Sequence, residues 1–219
     1  DSKNYNKFYG LYNFSDNNFS ENEKKQLRTK ILKSLKKFDL ITVSDYGHNF
    51  IDKKISNILK RQKKLIVNTQ INAANIGYHT ISKYKGANCA IINEVELRHE
   101  LKDKHSNIKN LLPKLSKKFK IKFLVVTVGK NGSYGYDLKK NNLYYCPAFA
   151  KEVVDRLGAG DAYLSVFSAI YSIGIKDLRL LMLMASLGTL EVIKGLGNSN
   201  SINYKSLLKS IIYLTKWKF

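Results

Sequence analysis

Only two cysteines occur among 219 residues, Cys89 and Cys146, and each sits in an apolar stretch. A disulfide scaffold is excluded, and a reducing compartment, the cytoplasm, is the expected setting. No Cys/His cluster has the spacing of a zinc site. Only two prolines occur and there is no low-complexity linker, so no internal domain boundary is expected, and there is no repeat. No apolar run approaches the roughly 20 residues of a membrane helix, and no secretory signal is read at the start. Arginine is scarce as well. It occurs at 28, 61, 98, 156 and 179, so 33 of the 38 basic residues are lysine, set against 17 acidic ones for a net charge of +21. Arginine is the preferred reader of base edges and grips phosphate bidentately. A lysine-heavy balance therefore argues for composition bias over nucleic-acid recognition, and an attraction for phosphorylated small molecules fits it better.

What is present suits a globular chain: 44% hydrophobic and 25% charged residues. Asp1 to Phe19 is polar and Asn-rich, with a weak alternation over Tyr9 to Phe14 that suits an edge strand or a lid remnant. Ser20 to Glu23 reads as a capping box, followed by Leu27, Ile31, Leu35 and Phe38 at helical spacing. Strands are expected over Asp39 to Val43, Leu65 to Val67, Ala87 to Ile92 and Phe123 to Val128. Helices are expected through Ile51 to Leu59, from Glu94, and around Ile108 to Leu115. Ser133 to Leu138 and Leu143 to Cys146 read as a hairpin, and helices follow from Gly158, Lys176 and Asn203. Alternating strands and helices imply parallel βαβ units. Short, continuously apolar strands imply a sheet covered on both faces, with ligands beyond the strands' carboxyl ends.

Three motifs carry chemistry. Leu157-Gly158-Ala159-Gly160-Asp161 enters an apolar helix. Small residues let a ligand approach the backbone, and the free N–H groups of a first helical turn attract anions. A carboxylate there can take the proton of an attacking hydroxyl; the alternative is a capping Asp after a Gly turn. Thr127-Val128-Gly129-Lys130-Asn131-Gly132 ends an apolar strand, either as a wrap for nucleotide phosphates or ribose or as a plain hairpin turn. Asn93-x-x-Glu96 ends another strand. It offers oxygens to Mg²⁺, directly or through water, or it is simply a second capping box.

Taken in this order, the motifs resemble the ribokinase-like (pfkB) family of sugar kinases, from about Ser20 to the C-terminus. The resemblance implies a three-layer α/β/α sandwich with a mostly parallel sheet, residues 1–219 forming the C-terminal two-thirds of a kinase domain. It implies Asp161 as catalytic base, with the N–H groups of Gly158, Ala159 and Gly160 holding the transferring phosphoryl group. Thr127, Gly129 and Gly132 would line ATP, Asn93 and Glu96 would sit near Mg²⁺, and Asp155, Gly195 and Ser199 match loosely a monovalent-cation (K⁺) site. Asp45, Asn68 and Asn72 fall on the sugar side. Ser44-Asp45-Tyr46-Gly47-His48 looks like heptose-phosphate kinases, and Asn68-Thr69-Gln70 resembles kinase domains fused to a cytidylyltransferase-like partner in surface-sugar pathways. Three departures stand out: Arg156-Leu157 before the GAGD motif, Asn49 after SDYG, and no counterpart to the family's opening strands, Gly-Gly motif and first sugar-contacting Asp. The expectation is a carbohydrate kinase whose isolated chain folds but turns over poorly and covers its open edge by the missing portion or by self-association. The rival is a non-catalytic module of a larger surface-carbohydrate protein.

Overall fold

The computed structural model describes residues 20–48, 50–71, 80–150, 154–155, 157–195 and 199–216. The expected edge strand at Tyr9 to Phe14, the lid segment 1–19, Asn49, Asn72 and Arg156 lie outside the described residues.

Among the described residues six strands form one sheet in simple sequential order: β1 (Ile41–Asp45), β2 (Leu65–Thr69), β3 (Cys89–Asn93), β4 (Phe123–Thr127), β5 (Ser133–Asp137) and β6 (Asn142–Cys146). β1 pairs with β2 in parallel, Asp45 opposite Thr69, and β2 pairs with β3 in parallel, Val67 opposite Ala90. Only a short turn joins β5 to β6, so they can pair only as an antiparallel hairpin. Among the described residues seven helices accompany the sheet: α1 (Glu21–Leu35) before it, α2 (Lys53–Lys60), α3 (Glu94–Leu101) and α4 (Ile108–Phe119) between its strands, and α5 (Ala159–Ser172), α6 (Leu178–Ile193) and α7 (Tyr204–Lys216) after it. This is the expected α/β architecture with a mostly parallel sheet.

The chain divides into two compact units, exchanging between them at Val126/Thr127 in β4, at Gly135/Tyr136 in β5 and again after Asn142. The first unit holds α1 to α4 and β1 to β4. Its strands read as continuous apolar runs because both faces are covered: Ile66, Val67, Ala90 and Leu124 have no measurable exposure. Ile55 and Leu59 of α2, and Leu111, Leu112 and Leu115 of α4, supply the covering rows at helical spacing. Each such side chain contributes about 1.5–3 kcal/mol by leaving water. The α1 capping box forms as read, Ser20 Oγ accepting from Glu23 N at 3.2 Å and Glu23 Oε2 from Ser20 N at 2.8 Å. The apolar row after it is weaker than its spacing suggests: α1 buries no residue, and Phe38, beyond the helix end, is exposed.

The second unit pairs α5 with α6. Phe167 and Tyr171 of α5 and Leu181, Met182 and Ala185 of α6 are buried. Gly188 permits the close approach, since a side chain there would run into Val166.

Candidate functional site

β4 ends at Thr127 and enters a tight turn, in which Val128 N donates to Gly132 O at 2.8 Å. Gly132 has φ 80°, and a Cβ there would overlap Cys146 O and lie 2.8 Å from Pro147 C and Ala148 N. Glycine is therefore required twice over, by conformation and by space. The turn forms one wall of a cavity of about 230 Å³. Thr127, Gly129 and Gly132 line it, and so do Ala159 and Gly160 from the start of α5. Two of the three motifs are thus brought onto one hollow within one unit. Its other wall was not legible in the sequence. Ser186, Thr189, Leu190 and Ile193 of α6 face it at one-turn spacing, and Tyr163 and Ser133 form its floor, their hydroxyls 3.2 Å apart. The spacing signal exists in α6, but a helix apolar almost all round conceals which stripe is unburied.

α5 begins with Gly158 in the left-handed region, φ 75°, and no described side chain caps it. Ala162 N makes the first helical bond to Gly158 O at 2.9 Å, so the N–H groups of the preceding turn point forward from the helix end. Asp161, half-buried, is the acidic residue of that first turn. This arrangement can hold an anion by backbone alone and set a carboxylate beside it. Asp155 Oδ1 accepts from Leu157 N at 2.9 Å, and Asp155 N reaches Ile193 O at the end of α6. Gly195 lies against Asn200 and Ser199. The three residues expected for a monovalent cation therefore sit around the end of α6, in loop contacts of their own.

The first unit holds the other candidates. Asn93 and Glu96 form the capping box: Asn93 Oδ1 accepts from Glu96 N at 2.9 Å, and Glu96 Oε2 from Asn93 N at 2.7 Å. Glu96 Oε1 takes Ile71 N at 3.2 Å. The carboxylate is 5% exposed, and burial pushes it up to about 7 against the pull of those N–H groups. Both side chains are engaged by backbone, and among the described residues no three His, Cys, Asp or Glu side chains gather as metal ligands. The pair as folded does not fit a directly bound Mg²⁺.

Asn68 is buried. Its Nδ2 donates to Ile91 O at 2.8 Å, while its Oδ1 has no hydrogen-bond partner among the described residues. Asp45 ends β1, the polar strand end that the sequence marks, although the strand begins at Ile41 and not at Asp39. Its carboxylate, 4% exposed, accepts from Lys83 Nζ at 2.8 Å, Tyr84 OH at 2.5 Å and Gly47 N at 3.1 Å. Burial pushes this carboxyl up, but the bonds from Lys83 and Tyr84 outweigh it and the net shift is downward. Lys83 and Tyr84 belong to a 3-10 turn, Ile81–Tyr84, that the sequence reading missed; it is too short to show a period.

Comparison with known proteins fits this geometry. The description "pfkB family carbohydrate kinase" matches residues 10–177. The chain is 30% identical over 164 residues to the bifunctional protein HldE of Helicobacter pylori (strain HPAG1), covering 69% of this chain and 34% of that protein. It is 28% identical over 184 residues to that of Campylobacter curvus (strain 525.92), covering 82% and 38%. It thus spans a little over a third of the length of these curated relatives. Escherichia coli phosphofructokinase-2 in complex with potassium superposes with a TM-score of 0.73 at 15% identity, covering 89% of this chain and 63% of that one. Arabidopsis thaliana ribokinase complexed with ribose and ATP gives 0.68 at 17%, covering 82% and 58%. The structures share the fold, and the match across residues 10–177 shows that this chain belongs to the pfkB family of carbohydrate kinases.

Proposed function

We propose that the chain is the nucleotide-binding part of an ATP-dependent kinase acting on a hydroxyl of a sugar or sugar phosphate, with a heptose phosphate the favoured acceptor. One observation carries this reading: the cavity of the second unit joins Thr127, Gly129 and Gly132 to the first turn of α5, the two parts a phosphoryl donor needs. In this reading the donor enters as the magnesium complex of ATP. Asp161 takes the proton of the attacking hydroxyl, whose oxygen bonds to the γ-phosphorus as the bond to ADP breaks. The N–H groups of Gly158, Ala159 and Gly160 face the charge that spreads over the transferring group. Phosphoryl transfer asks mainly for such positioning and electrostatics. Asn68 Oδ1, buried without a donor among the described residues, is suited to a substrate hydroxyl, and Asn72 is kept as a second candidate for the sugar. Asn93 and Glu96 hold the start of α3 and would meet a hydrated ion only through water. Asp155, Gly195 and Ser199 are kept as the candidate for a monovalent ion.

The Ser44-to-His48 segment favours heptose phosphate and the Asn68-Thr69-Gln70 segment a nucleotidyl-transferring partner domain, and the similarity to the longer bifunctional HldE proteins agrees with such a partner. Their length also favours a second reading for the chain alone, nucleotide binding without turnover. Calorimetry of the 219-residue chain with ATP and Mg²⁺ tests the first step, and no heat of binding at millimolar nucleotide from a folded sample would count against it. Turnover of sugars or sugar phosphates by the isolated chain at about 1 per second or faster would exclude the second reading.

A further inference from the structure

The end of β1 carries a network that the phosphoryl-transfer chemistry leaves unused. Asp45 lies where ligands gather in an open α/β sheet, beyond a strand's carboxyl end. Yet its carboxylate is almost wholly buried and already takes three donors: Lys83, Tyr84 and Gly47. Tyr84 is fully buried behind it. Lys83 differs. Its side chain keeps 24% exposure, and among the described residues its ammonium has Asp45 as its one hydrogen-bond acceptor. An ammonium carries three donors, so two remain for something outside the network.

We infer that Lys83 is the residue that grips an anionic group on the acceptor substrate, with Asp45 and Tyr84 as positioning residues behind it. This rests on the kinase reading above and assigns its preference for a phosphorylated over a neutral acceptor to one side chain. Asp45 could be satisfied by Tyr84 and Gly47 without any lysine. Adding Lys83 places a charge at the surface end of a rigid chain of contacts. Its head is tied to the carboxylate at 2.8 Å and lies 5.8 Å from the Tyr84 ring centre, so it is held in one place before any ligand arrives. A pre-ordered lysine loses less freedom on binding than a loose surface one. Because three donors share the Asp45 charge, the ammonium keeps an attraction for a second anion.

The test is the selectivity ratio of the full gene product: kcat/KM for a heptose phosphate divided by that for the same heptose without phosphate. Wild type should favour the phosphorylated acceptor. Lys83→Met should lower the ratio about tenfold or more, chiefly through KM for the phosphorylated acceptor. Lys83→Arg should restore most of it, and Asp45→Asn should lower it in part by freeing the ammonium. A merely structural ion pair would depress both acceptors alike and leave the ratio unmoved. A folded Lys83→Met with a ratio within twofold of wild type, or a wild type without preference, overturns the inference. Should the variants fail to fold, inorganic phosphate decides with the wild type alone: it should inhibit competitively against the phosphorylated acceptor, and no competition overturns the assignment. A wild type that phosphorylates no acceptor would instead sink the kinase reading itself.

Discussion

The two units handle polar chemistry in opposite ways. In the second, the candidate residues line a hollow and bring little or no side chain to it: Gly129, Gly132, Ala159 and Gly160. In the first, the candidate side chains are already engaged: Asn93 and Glu96 each accept the other's backbone N–H, and Asp45 accepts from Lys83 and Tyr84. A hollow rimmed by glycine is ready for a ligand, whereas a closed side-chain network holds elements in place and exposes only its outermost member. The same residue types at the same strand ends can thus be either a site or a brace, and burial with partner count tells which.

Four experiments break or sharpen that contrast. The largest effect belongs to Asp161→Asn, which keeps shape but removes the base. Turnover of the full gene product should fall by about 10² to 10⁴, while calorimetric nucleotide affinity and melting temperature stay near wild type. A variant retaining more than about a tenth of the rate would remove Asp161 from the chemistry. Next is Gly132→Ala, where a methyl group meets the backbone of Cys146 to Ala148 at positive φ. Strained backbone alone costs about 1–3 kcal/mol, the overlap adds to it, and nucleotide affinity should drop as well. A urea midpoint unchanged by this substitution would mean the rim is soft.

The third concerns Glu96. The unfolded chain releases this proton near the ordinary value of about 4.3, whereas the folded chain holds it up to about 7. A raised folded value means stability is fullest below the unfolded value and is lost as pH rises through the folded one. Without divalent ions, urea unfolding should therefore show wild type losing about 3 kcal/mol between pH 5 and pH 8, at 1.36 kcal/mol per unit. Glu96→Gln, which can still close a capping box, should flatten that slope. If instead the substitution changed turnover and left the slope alone, Glu96 would belong with the open site and not with the brace. The smallest effect is Ser20→Ala, about 1 kcal/mol, read as faster amide exchange in α1 alone, since that helix buries nothing.

Much of this was legible in the sequence. The strands from β2 onward and helices α3 to α7 fall within a few residues of the expected places because apolar runs, Gly turns and caps are local signals. Where the reading slipped, the cause was long-range. Asp45 was legible as a strand end, but not that Lys83 and Tyr84, far along the chain, would close on its carboxylate. Glu96 was legible as a cap or an ion site, and only Ile71 N, arriving from a distant loop, fills its second oxygen. GAGD announced a helix start at a hollow, but no pattern in α6 told that Ser186 and Thr189 face that hollow.

The bare start of α5 has a consequence for how such a protein is surveyed. Alanine scanning finds function by taking atoms away, and at Gly158-Ala159-Gly160 there are almost none to take. A Cβ on Gly160 would meet nothing within 4 Å, so even Gly160→Ala leaves the N–H groups facing outward. A scan across this segment would therefore register Asp161, register Gly158 only through its positive φ, and pass over Ala159 and Gly160 in silence. Only substitutions that add bulk or remove an N–H, a tryptophan or a proline, would test the proposed recognition by the main chain.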